Sequence, residues 1–144
     1  MKDDVVIRDE KVQDLVLRTR NYALRIIRLY SSLAKTTEAQ VLGKQLLRSG
    51  TSVGAQYREA KRAKSDADLI NKLEGSLQEL EESAYWLELI SAAGILHGEE
   101  MTDLQSETNE LTAIFTSIVK KIKSKKNNLS SFSPHPSSFR GGTK

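Results

Sequence analysis

The feature that most constrains this chain is a residue it withholds. No proline occurs before Pro134, so residues 1–133 contain no obligatory break in backbone hydrogen bonding. Against that background, apolar side chains recur at steps near three and four in four successive stretches, the period of helices that each bury one face. The first stretch, about residues 10–35, carries Val12, Leu15, Tyr22, Ile26, Leu29 and Leu33, with Thr19 filling one position. Thr36 or Thr37 can cap the second, about 38–63, whose stripe is Leu42, Leu46, Ser49, Val53, Tyr57 (or Gln56), Ala60 and Ala63. Ser65 with Asp68 resembles a capping box for the third, about 66–93, with a seam of Ile70, Leu73, Leu77, Leu80, Ala84, Leu87 and Ile90 or Ser91. Gly94 and Gly98 punctuate the chain, and Thr102 with Gln105 is a second capping box for the fourth, about 102–125. Its stripe is Leu104, Leu111, Ile114 or Phe115, Ile118 and Ile122.

Short connections make neighbouring helices antiparallel. The expected fold is therefore all-α: an antiparallel up-down-up-down four-helix bundle over 10–126, with an N-terminal extension at 1–9. Residues 127–144 are rich in serine and contain both prolines and two glycines without periodicity, so a disordered C-terminal tail is expected there.

The second helix holds Gly43, Gly50 and Gly54. Each glycine in a helix interior costs about 1 kcal/mol relative to alanine, so three need a reason. Gly50 and Gly54 share a face and let another backbone come close; a break near Gly50 is the competing reading. Gly50-Thr51-Ser52-Val53-Gly54 is not a phosphate loop, because it lacks the Gly-x-x-x-x-Gly-Lys-Ser/Thr pattern and no strand precedes it.

Catalytic and metal chemistry find little to stand on. The chain has no cysteine, which removes disulfides, zinc fingers and thiol catalysis. A di-iron bundle needs Glu-x-x-His on two helices, yet the two histidines are His97, in a connection, and His135, in the tail. No hydrolase triad can form without a histidine on a helix. Glu74, Glu81 and Glu88 fall at heptad spacing, where a solvated or salt-bridging face is the common fate. No enzyme, cofactor or metal is expected. No apolar run approaches the roughly 20 residues of a membrane span, and the N-terminus reads as no signal peptide, so a cytoplasmic protein is expected.

Charge is more informative than its net value of +3. Residues 18–64 carry eleven basic and two acidic side chains, and residues 65–119 one basic and twelve acidic. Such segregation suggests complementary faces within a subunit or between subunits. Arg18, Arg25 and Arg28 share one side of the first helix. Arg58, Lys61, Arg62 and Lys64 crowd the end of the second, and Lys120, Lys121, Lys123, Lys125 and Lys126 the end of the fourth. Cations complement a helix C-terminus, which is the plain reading of the last two groups. All three groups, Arg18, Arg25 and Arg28 included, also form the footprint a phosphate backbone needs, with no aromatic platform for reading bases. Arg48 and Glu59 sit near the apolar stripe of the second helix, where a charge needs a partner; glutamates of the third helix are the obvious partners for Arg48.

From Leu42 to Ile90 the sequence resembles the four-helix-bundle family encoded in intervening sequences of bacterial 23S ribosomal RNA genes. That family is in turn similar to accessory variability proteins of diversity-generating retroelements. The shared residues are Leu42, Gln45, Leu46, Arg48, Ser49, Ser52, Val53, Ala55, Glu59, Ala60, Ser65, Lys72, Leu73, Glu79 and the run Trp86-Leu87-Glu88-Leu89. Gln56 and Leu69 are mild departures from the pattern. The resemblance implies a homopentameric ring and, for the retroelement branch, binding to RNA or DNA and to a reverse transcriptase. Two functions are thus expected to compete. One is a non-enzymatic homo-oligomer that binds nucleic acid through its basic clusters. The other is a pure protein–protein scaffold whose basic surface is consumed by subunit contacts, with Arg48, Gly50, Gly54, Glu59 and Trp86 as structural or interface residues.

Overall fold

A computed structural model of the chain describes residues 15–132, and the side chains of residues 15–128. Four helices follow one another: α1 (Leu15–Ser32), α2 (Thr37–Ala60), α3 (Asp66–Ala92) and α4 (Glu99–Phe132). Each packs against its sequence neighbour, and α4 closes the bundle against α1. Cross-bundle contacts fix the antiparallel register. Ser49 lies opposite Ser83, Lys72 opposite Glu59, Glu74 opposite Lys123, and Tyr22 opposite Thr108.

The helix ends have local causes. Thr36 Oγ1 accepts a hydrogen bond from the Ala39 N–H and caps α2. Ser65 Oγ accepts from the Asp68 N–H at 3.0 Å, while the Asp68 carboxylate accepts from the Lys64 N–H, one residue earlier than a standard capping box. Gly94, at φ +72°, terminates α3 in a Schellman motif, with the Ile95 N–H donating to the Ile90 carbonyl. The fourth helix departs from expectation at both ends. It begins at Glu99, not Thr102, because Gly98 at φ +118° turns the chain and Glu99 and Glu100 complement the dipole in the first turn. Thr102 lies inside the helix, donating from both its N–H and its hydroxyl to the Gly98 carbonyl. At the other end α4 runs past the expected boundary at 126 to Phe132. Nothing over 127–132 breaks a helix; the first residue disfavoured in that conformation is Ser133, immediately before Pro134. The remaining expected tail, the 1–9 extension and Val12 lie outside the described residues.

The core follows the expected stripes on α1 and α4, and on α2 apart from Leu42 and Ala63, which are half-buried, and it rotates the stripe on α3. Leu15, Thr19, Tyr22, Ile26, Leu29 and Leu33 are buried as expected, and Phe115 rather than Ile114 takes the inward position on α4. On α3 the buried row is Leu69, Leu73, Ser76, Leu80, Ser83, Leu87 and Ile90, leaving Ile70 and Leu77 half-buried. The serines replace the expected Leu77 and Ala84 because their size lets α2 approach. Ser83 hydrogen-bonds Ser49 at 2.8 Å, and Ser76 Oγ donates to the Val53 carbonyl at 3.0 Å. No break occurs at Gly50. A Cβ there would stand 2.7 Å from Ile26, and one at Gly54 would stand 2.9 Å from Thr19 Oγ1, so both glycines admit α1. Among the described residues no helix is long and apolar enough to cross a membrane.

Two stability outcomes follow from this packing. Gly50→Val forces a branched side chain against buried Ile26 and lowers unfolding free energy by about 1–3 kcal/mol. Gly75→Ala meets only the flexible end of Gln56, and gains up to about 1 kcal/mol from helix propensity; urea titration separates the two. Burial also pushes the Tyr57 phenol up to about 12. Its neutral form is thus favoured by folding, so stability is full below about pH 10 and falls through pH 12, at up to about 1.4 kcal/mol per pH unit. Denaturant titrations between pH 9 and 12 check this, with Tyr57→Phe giving the shallower decline.

Candidate nucleic-acid interface

The segment Arg48-Ser49-Gly50-Thr51-Ser52-Val53-Gly54 is where three helices meet. Arg48 leaves α2 toward α3 and pairs with Glu82 at 2.6 Å and Glu79 at 3.4 Å. Glu79, whose side chain is 13% exposed, also accepts from Gln56 Nε2. Ser49 and Val53 bind α3 as described, Gly50 and Gly54 seat α1, and Ser52 Oγ returns to the Arg48 carbonyl. Glu59 pairs with Lys72 at 3.0 Å, and that hydrogen bond raises the lysine pKa. Arg48, Ser49, Gln56 and Glu59 point at α3, while Thr51 and Ser52 bond back to carbonyls of α2 itself. Trp86 is half-buried beside Tyr85, ring centroids 5.2 Å apart, and its indole Nε1 is buried without a hydrogen-bond acceptor.

The arginines of α1 divide. Arg18 forms a fork with Glu107, Nε and Nη2 each 2.8 Å from a carboxylate oxygen, and Nη2 also reaches Glu110 at 2.8 Å. Its hydrogen bond to Glu107 pushes the guanidinium pKa further up. Arg25 pairs with Glu100 at 3.3 Å. Arg28 is exposed and has no ion-pair partner among the described residues. It lines a shallow groove of about 580 Å³ with Arg25, Ser32, Leu96, exposed His97 and Glu100. The acidic positions 100, 107 and 110 are the partners that sequence reasoning missed; the only signal for them was the sign reversal between chain halves.

The other basic residues come together. In this up-down-up-down topology the C-terminus of α2 and the C-terminal half of α4 occupy the same end of the bundle, and Tyr57 of α2 contacts Phe115 of α4 across the core with ring centroids 5.6 Å apart. Arg58, Lys61, Arg62 and Lys64 therefore share that end with Lys120, Lys121 and Lys123. Only Lys123 of these seven has an ion pair among the described residues, with Glu74 at 2.8 Å. On α2 the dipole accounts for Arg58, which lies in the last turn. Because α4 runs on to Phe132 and has no basic residue in its last turn, Lys120, Lys121 and Lys123 are not the terminal cations that the sequence suggested. Arg25 and Arg28 lie toward the other end, beside the α3–α4 connection, whereas Arg18, near the start of the described part of α1, faces α4. Among the described residues no group of three or more His, Cys, Asp or Glu gathers into a potential metal site.

These features define a class: an all-α four-helix bundle whose acidic helices pair with Arg18, Arg25 and Arg48 and which carries one strongly basic end. Within that class, the family described as 23S rRNA-intervening sequence protein matches residues 12–117, and the chain belongs to it. It is similar to a crystal structure of a protein of unknown function from the S23 ribosomal protein family of Bacteroides thetaiotaomicron VPI-5482. The identity is 39% and the TM-score 0.69, covering 74% of this chain and 98% of that one. No curated protein matches.

The two kinds of arginine separate on mutation. Arg18→Ala leaves Glu107, 16% exposed, without its fork and costs about 1–2 kcal/mol, between the exposed and buried limits. Arg62→Ala costs less than about 0.5 kcal/mol, as expected of a surface site without a structural partner. Thermal melts of both variants test this contrast.

Proposed function

We propose that this chain is a non-enzymatic homo-oligomeric bundle, a pentamer, that binds the phosphate backbone of RNA or DNA through the basic end formed by Arg58, Lys61, Arg62, Lys64, Lys120 and Lys121. The supporting observation is the contrast just described. Arg18, Arg25 and Arg48 are held by glutamates of their own chain, whereas these six have no ion-pair partner among the described residues. Phosphate recognition needs clustered, available cations and no fixed motif, which this end supplies. Absence of an aromatic platform fits contacts that position a backbone rather than read bases. Lys123, held by Glu74, serves at the margin of the same surface. A reverse transcriptase, the partner implied by the retroelement resemblance, would in this reading be reached through shared nucleic acid or the ring itself.

Four exposed large apolar side chains, Leu17, Ile27, Val41 and Tyr85, favour a protein-contact role beside this one. The readings separate in filter binding at several salt concentrations. Engagement of six phosphates on a duplex gives a log–log salt slope of about −5. Replacing Arg58, Lys61 and Arg62 by Glu reduces that slope by about 3 and abolishes retention near physiological salt, while Arg25→Ala leaves it unchanged. Failure of the wild type to retain any duplex or single strand at the lowest salt would overturn the nucleic-acid reading.

A further inference from the structure

Single exposed apolar residues are ordinary on a soluble surface. Those of this chain are grouped. Leu17 is 56% exposed and Ile27 41%, and half-buried Leu24 lies between them. With exposed Arg20 and Ser31 they follow the spacing 17, 20, 24, 27, 31, a heptad-type row on the side of α1 opposite its buried stripe. Among the described residues nothing covers this row. The described part of α1 contains four arginines and no acidic residue. Arg18 and Arg25 turn inward to α4, while Arg20 and Arg28 remain outside without an ion-pair partner among the described residues.

The outer face of α3 is its chemical counterpart. Tyr85, 52% exposed, lies between exposed Glu81 and Glu88, with half-buried Leu89 one turn on. Neither glutamate has an ion-pair partner among the described residues. The α2–α3 register places Val41, 55% exposed, level with Leu89, which extends the apolar patch onto α2. Arg20 and Arg28 are eight residues apart and Glu81 and Glu88 seven, so both charge pairs span about 10–12 Å along a helix. In the bundle α1 packs on α2 and α4, and α3 on the same two, so α1 and α3 stand at opposite corners and their outer faces point apart. They cannot meet within one chain.

We propose that they meet between chains: the outer face of α1 on one protomer docks on the outer face of α3 on the next, Leu17, Leu24 and Ile27 against Tyr85, Leu89 and Val41, with Arg20 and Arg28 facing Glu81 and Glu88. Two different patches make the contact heterologous, so it propagates head to tail into a ring, or into a filament where the rotation does not close. The occupant is a second copy of this chain because both halves of the match are on its own surface. The inference rests on the homo-oligomer reading and specifies its interface.

Sedimentation velocity on the full chain tests it. Arg20→Glu with Arg28→Glu, or Glu81→Arg with Glu88→Arg, weakens assembly at least tenfold, and the four changes combined restore it. Leu17→Asp with Leu24→Asp dissociates the assembly irrespective of salt. Except for half-buried Leu24 these sites are exposed, so helical content and melting temperature of the charge variants stay near wild type. Reversed variants that sediment like the wild type, or a combined variant that stays dissociated, would overturn this interface while leaving oligomerisation intact. A monomeric wild type would overturn both; duplex retention in the filter assay is read independently of either.

Discussion

The bundle depends on how closely α2 can lie between α1 and α3. Side chains usually keep helix axes 8–10 Å apart, and small residues shorten the approach. Here Gly50 and Gly54 seat Ile26 and Thr19 on one side, while Ser49, Ser76 and Ser83 join α2 to α3 on the other. The polar atoms introduced by the serines are satisfied where they fall, so the narrow seam carries little desolvation cost. The glycines sacrifice helix propensity at one point to permit contact over many turns. That exchange explains why the most recognisable stretch of the sequence is also the least helix-like in composition.

Once the helices are this close, charge is sorted by distance. Glutamates at 79, 82, 100, 107 and 110 reach Arg18, Arg25 and Arg48 on the neighbouring helix, so part of the opposite charge of the two chain halves is spent inside one subunit. What remains unspent is uneven. One end keeps its lysines and arginines, α1 keeps two arginines beside an apolar row, and α3 keeps two glutamates beside a tyrosine. The surface is informative because the interior pairings have already removed the charges that serve the fold.

Architecture was legible in the sequence wherever a pattern is periodic. Absence of proline, four stripes and the caps at Thr36 and Ser65 were enough for the order and direction of the helices. Legibility failed where two residues could exchange roles by a small rotation. Leu77 and Ser76 are adjacent, and hydrophobicity alone favours the leucine, yet the space left by α2 admits only the serine. It failed again at Thr102, a good capping residue overruled by a glycine four positions earlier that takes a positive φ. Of the surface, the basic clusters at 58–64 and 120–123 were visible as runs, but their meeting at one end follows from topology. The division of α1 into engaged and idle arginines needed the positions of Glu100 and Glu107, which no one-dimensional pattern supplies.

The contacts between α2 and α3 join residues 13 to 34 positions apart, whereas those between α1 and α4 join residues 75 to 92 apart. Loop-closure entropy grows with the logarithm of that separation, and the difference is about 1 kcal/mol or more. The α2–α3 pair is thus a local hairpin, complete in itself, and the fork of Arg18 on Glu107 is a clasp fastened across nearly the whole length of the domain. A chain that concentrates its distinctive residues in the hairpin has placed them where order is cheapest to establish, and left the long-range closure to ordinary leucines, one tyrosine and a pair of charges.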